Sequence, residues 1–179
     1  MGDLAPVRVL GLGNVLMGDD AAGPWIIEAL LAGWEFPEGV SVVDVGTPGL
    51  DLTPYLADAD SVILVDTVQS DATPGTVRVY SRETLFRMSP RPRMSPHDPG
   101  LTEALMALSL AGCAPRDVTL VGVVPGNVGM GVGLSGAARA AVPLAVAEVV
   151  ARLTTLGYRP VPRAGAATAT PWWEAAVAG

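Results

Sequence analysis

A chain of 179 residues suits one domain. With 50% hydrophobic and only 16% charged residues it can bury a core of its own, which excludes a disordered protein. A formal net charge of −7 excludes a general binder of nucleic acid, whose affinity for phosphate rests on clustered Lys and Arg; the densest basic group, Arg82, Arg87, Arg91 and Arg93, suits at most a local patch for an acidic partner.

The single cysteine, Cys113, excludes an internal disulfide and a zinc site built on several cysteines. The amino end carries no basic segment followed by a long apolar run, and no apolar stretch reaches the roughly 20 uncharged residues of a bilayer span. A soluble, cytoplasmic chain without membrane contact is expected.

In chain order, "VRVLGLG" (7–13) reads as a first buried strand and "DDAAGPWIIEALLAG" (19–33) as a helix, with Trp25, Ile26, Ala29 and Leu30 at helical spacing. "VSVVDVG" (40–46) is a second strand, "LDLTPYLADA" (50–59) a short helix and "SVILVDTV" (61–68) a third strand. "TPGTVRVYS" (73–81) is a turn and a strand with alternating side chains, too close to its predecessor for a crossover helix, and is predicted to be an antiparallel edge. "LTEALMALSLAG" (101–112) is a helix, "DVTLVGVVP" (117–125) a further strand, and "SGAARAAVPLAVAEVVARLTTLG" (135–157) a long helix that Pro143 should kink or break. Apolar runs of this kind belong in a sheet covered on both faces. The predicted fold is therefore α/β: a three-layer α/β/α domain over 1–160, with a mainly parallel sheet of about five strands and one antiparallel edge. Residues 161–179 form a Pro/Ala/Gly-rich tail that Trp172 and Trp173 are suited to pin onto the body.

Ligands of open parallel sheets bind outside the carboxyl ends of the strands. The first strand delivers Gly11, Gly13, Asn14, Asp19 and Asp20 there, the second Asp44, Gly46, Thr47 and Gly49, and the third Asp66. Glycines permit tight turns and close backbone approach, and Asn and Thr brace loops. Capping of the helix that follows suits Asp19, and also Asp20. Asp44 is divided between holding its own turn and taking part in a site. Asp66 follows "VILV" where the strand is still buried, so its carboxylate calls for a partner or a metal. A dinucleotide loop is disfavoured: Leu16 stands where the third glycine belongs, and Asp44 lies farther on than the ~20 residues expected of a ribose ligand.

The only histidine, His97, sits between two prolines in "MSPHDPG" (94–100), just before a helix. By itself a loop histidine of this kind is more often an ordinary solvated one. If the loop brings it over Asp20 and Asp66, two carboxylates and an imidazole suit a borderline divalent cation such as nickel or zinc.

These segments, taken together, resemble a known family. "GLGNVLMGDDAAG" resembles the opening motif of the hydrogenase maturation endopeptidases, G-x-G-N-x-L-x-x-D-[DE]-x-x-G, and "DVGTPG" resembles their D-G-G-T-x-G. "ILVDTV", "ATPGTVRVY", "MSPHDPGLTEALMAL" and "VTLVGVVP" with "GVGLS" resemble the segments that follow, in order, over about residues 7–155. The resemblance implies an endopeptidase that removes a C-terminal extension from the large-subunit precursor of a nickel–iron hydrogenase after nickel insertion. It implies a metal-contact trio of Asp20, Asp66 and His97, with Asp44 as the second-motif aspartate, suited to steering water or accepting a proton. The nickel is expected to arrive in the precursor, and zinc or cadmium to occupy the same site in vitro. Two positions depart from the pattern: Val45 replaces a usual glycine and restricts its loop, and Asp20 stands where several relatives have glutamate. Cys113 is not expected to be a nucleophile. The competing readings are a noncatalytic factor that binds the precursor, and a related peptidase acting on another precursor.

Overall fold

Strand β1 (Val7–Leu12) is buried along its whole length, as a strand flanked on both sides and covered on both faces must be. The computed structural model describes residues 5–48, 52–87, 98–165 and 169–175. After β1 a 3-10 turn (Gly18–Ala21) leads into α1 (Ala22–Gly33), followed by the short β2 (Trp34–Glu35), β3 (Val40–Gly46), α2 (Thr53–Leu56) and β4 (Ser61–Thr67). Then come β5 (Val77–Ser81), α3 (Arg82–Arg87), α4 (Asp98–Ala111), β6 (Asp117–Val123), α5 (Gly136–Thr155), β7 (Val161–Pro162) and α6 (Trp172–Ala175).

Five strands form one sheet in the order β3-β1-β4-β6-β5. The first four run parallel, and β5 pairs antiparallel with β6 at the edge, as its short link to β4 predicted. The pleat sends alternate side chains to opposite faces. Val9, Ile63, Val65 and Val121 pack with Ile26 and Leu30 of α1 and Ala145 and Val149 of α5. Leu10, Val62, Leu64 and Leu120 pack with Leu56 of α2 and Leu105 and Leu108 of α4 on the other face. The result is the three-layer domain expected from the sequence.

The chain leaves β1 for β3 on one side and then crosses to β4 on the other. This reversal makes the carboxyl end of β1 the crevice where ligands of doubly wound sheets bind. Helix α1 sits unusually close to it. A Cβ on Gly23 would collide with the carbonyl oxygens of Leu12 and Val65, so only glycine lets the first turn of α1 lie against both strands.

Several local expectations change. Pro143 neither ends nor divides α5, which runs through it; the residue faces solvent, so water can satisfy the carbonyl that its missing N–H leaves unpaired. Helix α3 occupies a stretch that the sequence marked only by its arginines; Arg91 and Arg93 of that group, like His97 and Gly49, lie outside the described residues. In the tail, β7 pairs with β2, and Trp173 is buried while Trp172 is exposed. Glu174 binds Arg139 (2.7 Å) and accepts the Trp25 indole N–H (2.9 Å), and the Arg139 guanidinium lies 4.7 Å from the Trp25 ring centre. No helix of the described residues is long and apolar enough to cross a membrane.

Candidate active site at the carboxyl edge

The path from β1 to α1 is set by glycines. Gly13 has φ +140° and donates its N–H to Gly46 O (2.9 Å), tying the end of β1 to the end of β3. A Cβ there would strike the Asp20 carbonyl, so the 3-10 turn folds back onto the strand end only over glycine. Asn14 braces the loop between them. Its side-chain oxygen accepts from Leu16 N (3.0 Å), and its own N–H donates to Asp20 Oδ2 (2.9 Å).

Asp20 and Asp66 are both buried, at 8% and 1% exposure, and one residue joins them. Thr67 donates its backbone N–H to Asp66 Oδ1 (2.7 Å) and its hydroxyl to Asp20 Oδ1 (3.2 Å). Strand alternation explains how it does so: Asp66 and Thr67 are consecutive, so their side chains leave β4 on opposite faces. The structure thus brings two carboxylates from different elements to the end of β4, each accepting a hydrogen bond from Thr67. Anionic oxygens of this kind suit a divalent cation. Among the described residues no group of three or more His, Cys, Asp and Glu side chains gathers as a metal site; His97, the third residue of the trio, lies outside them.

Asp19 differs from its expected role. Its carboxylate caps neither the 3-10 turn nor α1, neither of which has a side-chain cap. It reaches instead to the loop after β6, where it accepts from Gly126 N (2.7 Å), Asn127 N (3.0 Å), Ser135 N (2.6 Å) and Ser135 Oγ (2.8 Å). Burial pushes this carboxyl up, but the hydrogen bonds from Ser135, Asn127 and Gly126 outweigh burial and hold it below the usual carboxylate value. Ser135 in turn caps α5 by accepting from Ala138 N. Asp20 does not cap either; its carboxylate is taken up by Asn14 and Thr67.

Asp44 stands on β3 opposite Gly11, which pairs on its other side with Val65 of β4. It is therefore two strands from Asp66, about 10 Å at ordinary strand spacing. It is exposed and holds its own turn, accepting from Gly46 N (2.9 Å). Partial desolvation raises its carboxyl and the Gly46 bond lowers it, with a net rise. Val45, in place of a glycine, packs against the α2/α4 side of the core. Cys113 follows the end of α4 and precedes β6, at the amino edge of the sheet and away from the carboxylates.

Thr67 and the long-range bonds of Asp19 are the two features of this edge that the sequence did not announce. Thr67 was legible in principle, as a hydroxyl next to a buried strand-end aspartate. The Asp19 brace had no local signal, because its partners lie 107 to 116 residues further along the chain.

The fold is a doubly wound sheet with two buried acids, Asp20 and Asp66, at its switch point, and comparison with known proteins defines the class. The family described as hydrogenase maturation protease (HycI) matches residues 24–152. The chain is 35% identical over 158 residues to the hydrogenase 2 maturation protease of Escherichia coli K12, covering 88% of this chain and 96% of that protein. It is 34% identical over 160 residues to the hydrogenase expression/formation protein HupM of Azotobacter chroococcum, covering 89% and 77%. The solved structure of the hydrogenase maturating endopeptidase HybD from E. coli superposes with a TM-score of 0.80 at 34% identity, over 88% of this chain and 97% of that one. The chain belongs to the hydrogenase maturation protease family, whose role is C-terminal processing of the hydrogenase large subunit.

Proposed function

We propose that this protease acts in the cytoplasm on the large-subunit precursor of a nickel–iron hydrogenase, removing its C-terminal extension after nickel insertion by metal-assisted cleavage of a peptide bond. The observation that carries the reading is the pairing of Asp20 and Asp66 through Thr67 at the switch point of the sheet. His97, matched by its motif, completes the trio that engages the metal. The nickel belongs to the substrate and arrives with it; zinc or cadmium takes the same ligands in the free protein.

A divalent ion bound there supplies a Lewis acid for the scissile carbonyl or a water of lowered pKa. The chain's own groups do the rest. Thr67 and Asn14 fix Asp20, and the Thr67 N–H fixes Asp66, so both offer oxygens in set positions without reorganisation. Asp44, raised above its ordinary value, steers water or accepts a proton as the peptide bond opens. The checking experiment incubates the protein with nickel-loaded and nickel-free precursor and weighs the products. Loss of a C-terminal fragment from the loaded precursor alone supports the reading; equal cleavage of both contradicts metal assistance.

A further inference from the structure

Strands β1 and β6 end at the candidate catalytic edge in segments, residues 13–18 and 124–135, that carry no charge in a chain whose net charge is −7. Their loops are bound to each other. Met17 forms a parallel bridge with Gly131. Gly18 N donates to Gly131 O (2.8 Å), Gly131 N to Leu16 O (2.9 Å) and Asp19 N to Asn127 O (2.8 Å). The buried Asp19 carboxylate adds its bonds to Gly126, Asn127 and Ser135. Gly18, at φ +55°, allows the approach, since a Cβ there would lie 2.7 Å from Asn127 O.

This double loop is well braced in its backbone and yet turns its large side chains outward. Leu16 is 58% exposed, Met130 92%, Val128 46% and Val132 37%. The bridge sets Leu16 and Met17 alongside Met130 and Gly131, so these are not solitary surface hydrophobics. Exposed apolar groups that cluster on an ordered frame mark an interaction surface, and methionine adapts to varied apolar partners. The cluster begins four residues before Asp20, so a polypeptide lying across the paired carboxylates must also run over or beside it.

We propose that Leu16, Val128, Met130 and Val132 form the docking surface for an uncharged, apolar stretch of the precursor polypeptide next to the scissile bond, with Asp19 as the buried clamp that holds the two loops as one platform. This rests on the proteolytic reading above and adds to it the chemistry of the segment recognised. Asp19 does not touch the substrate; it positions the loops that do.

The test compares wild type with Leu16→Asp/Met130→Asp, with Met130→Ala, and with Leu110→Asp. Leu110 is an exposed apolar residue on α4, away from this platform. All altered side chains are exposed, so unchanged circular dichroism is expected. For cleavage of the metal-loaded precursor, the double variant should raise KM about tenfold, with a much smaller loss in kcat, as loss of a central apolar anchor does. Met130→Ala should move KM in the same direction by less, and Leu110→Asp should match wild type. Wild-type cleavage with an unchanged KM in the double variant overturns the docking surface and leaves the proteolytic reading standing. No cleavage by wild type overturns the proteolytic reading and takes the surface with it. A wild-type dimer in sedimentation that the double variant abolishes, with KM unaltered, assigns the patch to a second copy of this chain and also overturns the proposal.

Discussion

Thr67 gives its hydroxyl to Asp20 across the gap between β4 and the turn that opens α1 (Oγ1 to Oδ1, 3.2 Å), while its N–H holds Asp66 (2.7 Å). The two candidate metal-contact carboxylates are thereby fixed by a residue that the chemistry itself does not require. Thr67→Val keeps the branched shape and the backbone bond and removes only the hydroxyl. Leaving a buried acceptor short of a donor costs on the order of 1–3 kcal/mol, so a lower urea midpoint is expected, with processing slowed about tenfold or more as Asp20 loses its fixed position. Thr67→Ser, which restores the donor, should recover most of the rate. Equal rates for the Val and Ser variants would remove Thr67 from the account.

Asp19 links stability to pH. Its folded-state carboxyl lies below the ordinary value of about 3.9. Its contribution is therefore fully present above that value and is lost as pH falls through the lower folded-state value. Asp19→Asn should lower stability at pH 7 by on the order of 2–3 kcal/mol, the scale of hydrogen bonds to a charged group. The gap between wild type and variant should narrow at about pH 3 and below. Urea titrations at both pH values check this, and a constant gap would contradict the assignment.

Gly23 should tolerate nothing larger. A Cβ there meets Leu12 O, Val65 O at 2.6 Å and Leu12 N at 2.8 Å, all backbone atoms of the central strands that cannot swing aside. Gly23→Ala is expected to push α1 off the sheet at a cost of about 3 kcal/mol or more, with loss of activity because the turn carrying Asp20 moves with α1. A variant that melts within a degree or two of wild type would show that the close approach is not needed.

The four parallel strands were legible almost to the residue: 7–13, 40–46, 61–68 and 117–125 in the sequence against Val7–Leu12, Val40–Gly46, Ser61–Thr67 and Asp117–Val123 in the structure. Strands β1, β4 and β6 are buried on both faces and admit few polar residues, so their limits show in composition alone; β3, also read as a buried strand, lies half-exposed at the sheet edge, and only its run of valines marked it. Asp66 was conspicuous as an acid inside one of the buried strands. Contacts that close over long loops were not legible. The Asp19 brace is one, and β2–β7 pairing is another, since two-residue strands leave no periodic signal. The approach of Asp20 to Thr67, the neighbour of Asp66, was foreseeable only as a consequence of topology, because it needed β1 and β4 to be neighbours. The break offered as one of two outcomes at Pro143 does not occur, because the penalty for proline in a helix depends on whether the freed carbonyl reaches water, which the sequence alone does not show.

The tail is part of the body energetically. Trp173 is buried, and Glu174 ties Trp25 to Arg139. Trp173→Ala should cost about 3–5 kcal/mol, as large aromatic truncations in cores do. Trp172→Ala, at an exposed site, should change stability by no more than about 0.5 kcal/mol. Thermal unfolding of the two variants side by side separates them, and equal melting temperatures would contradict the docking of the tail.

In the proposed mechanism Asp66, with Asp20 and His97, engages the precursor's metal and so drives cleavage. Asp66→Asn nearly preserves shape while removing one anionic oxygen ligand. The direct measurement is single-turnover processing of nickel-loaded precursor by wild type and Asp66→Asn, with precursor binding measured in parallel. Cleavage should collapse in the variant while binding persists, because docking spreads over a larger surface than one carboxylate. Full-rate cleavage by Asp66→Asn would contradict the account and move the chemistry elsewhere, with Asp44 the next residue to change.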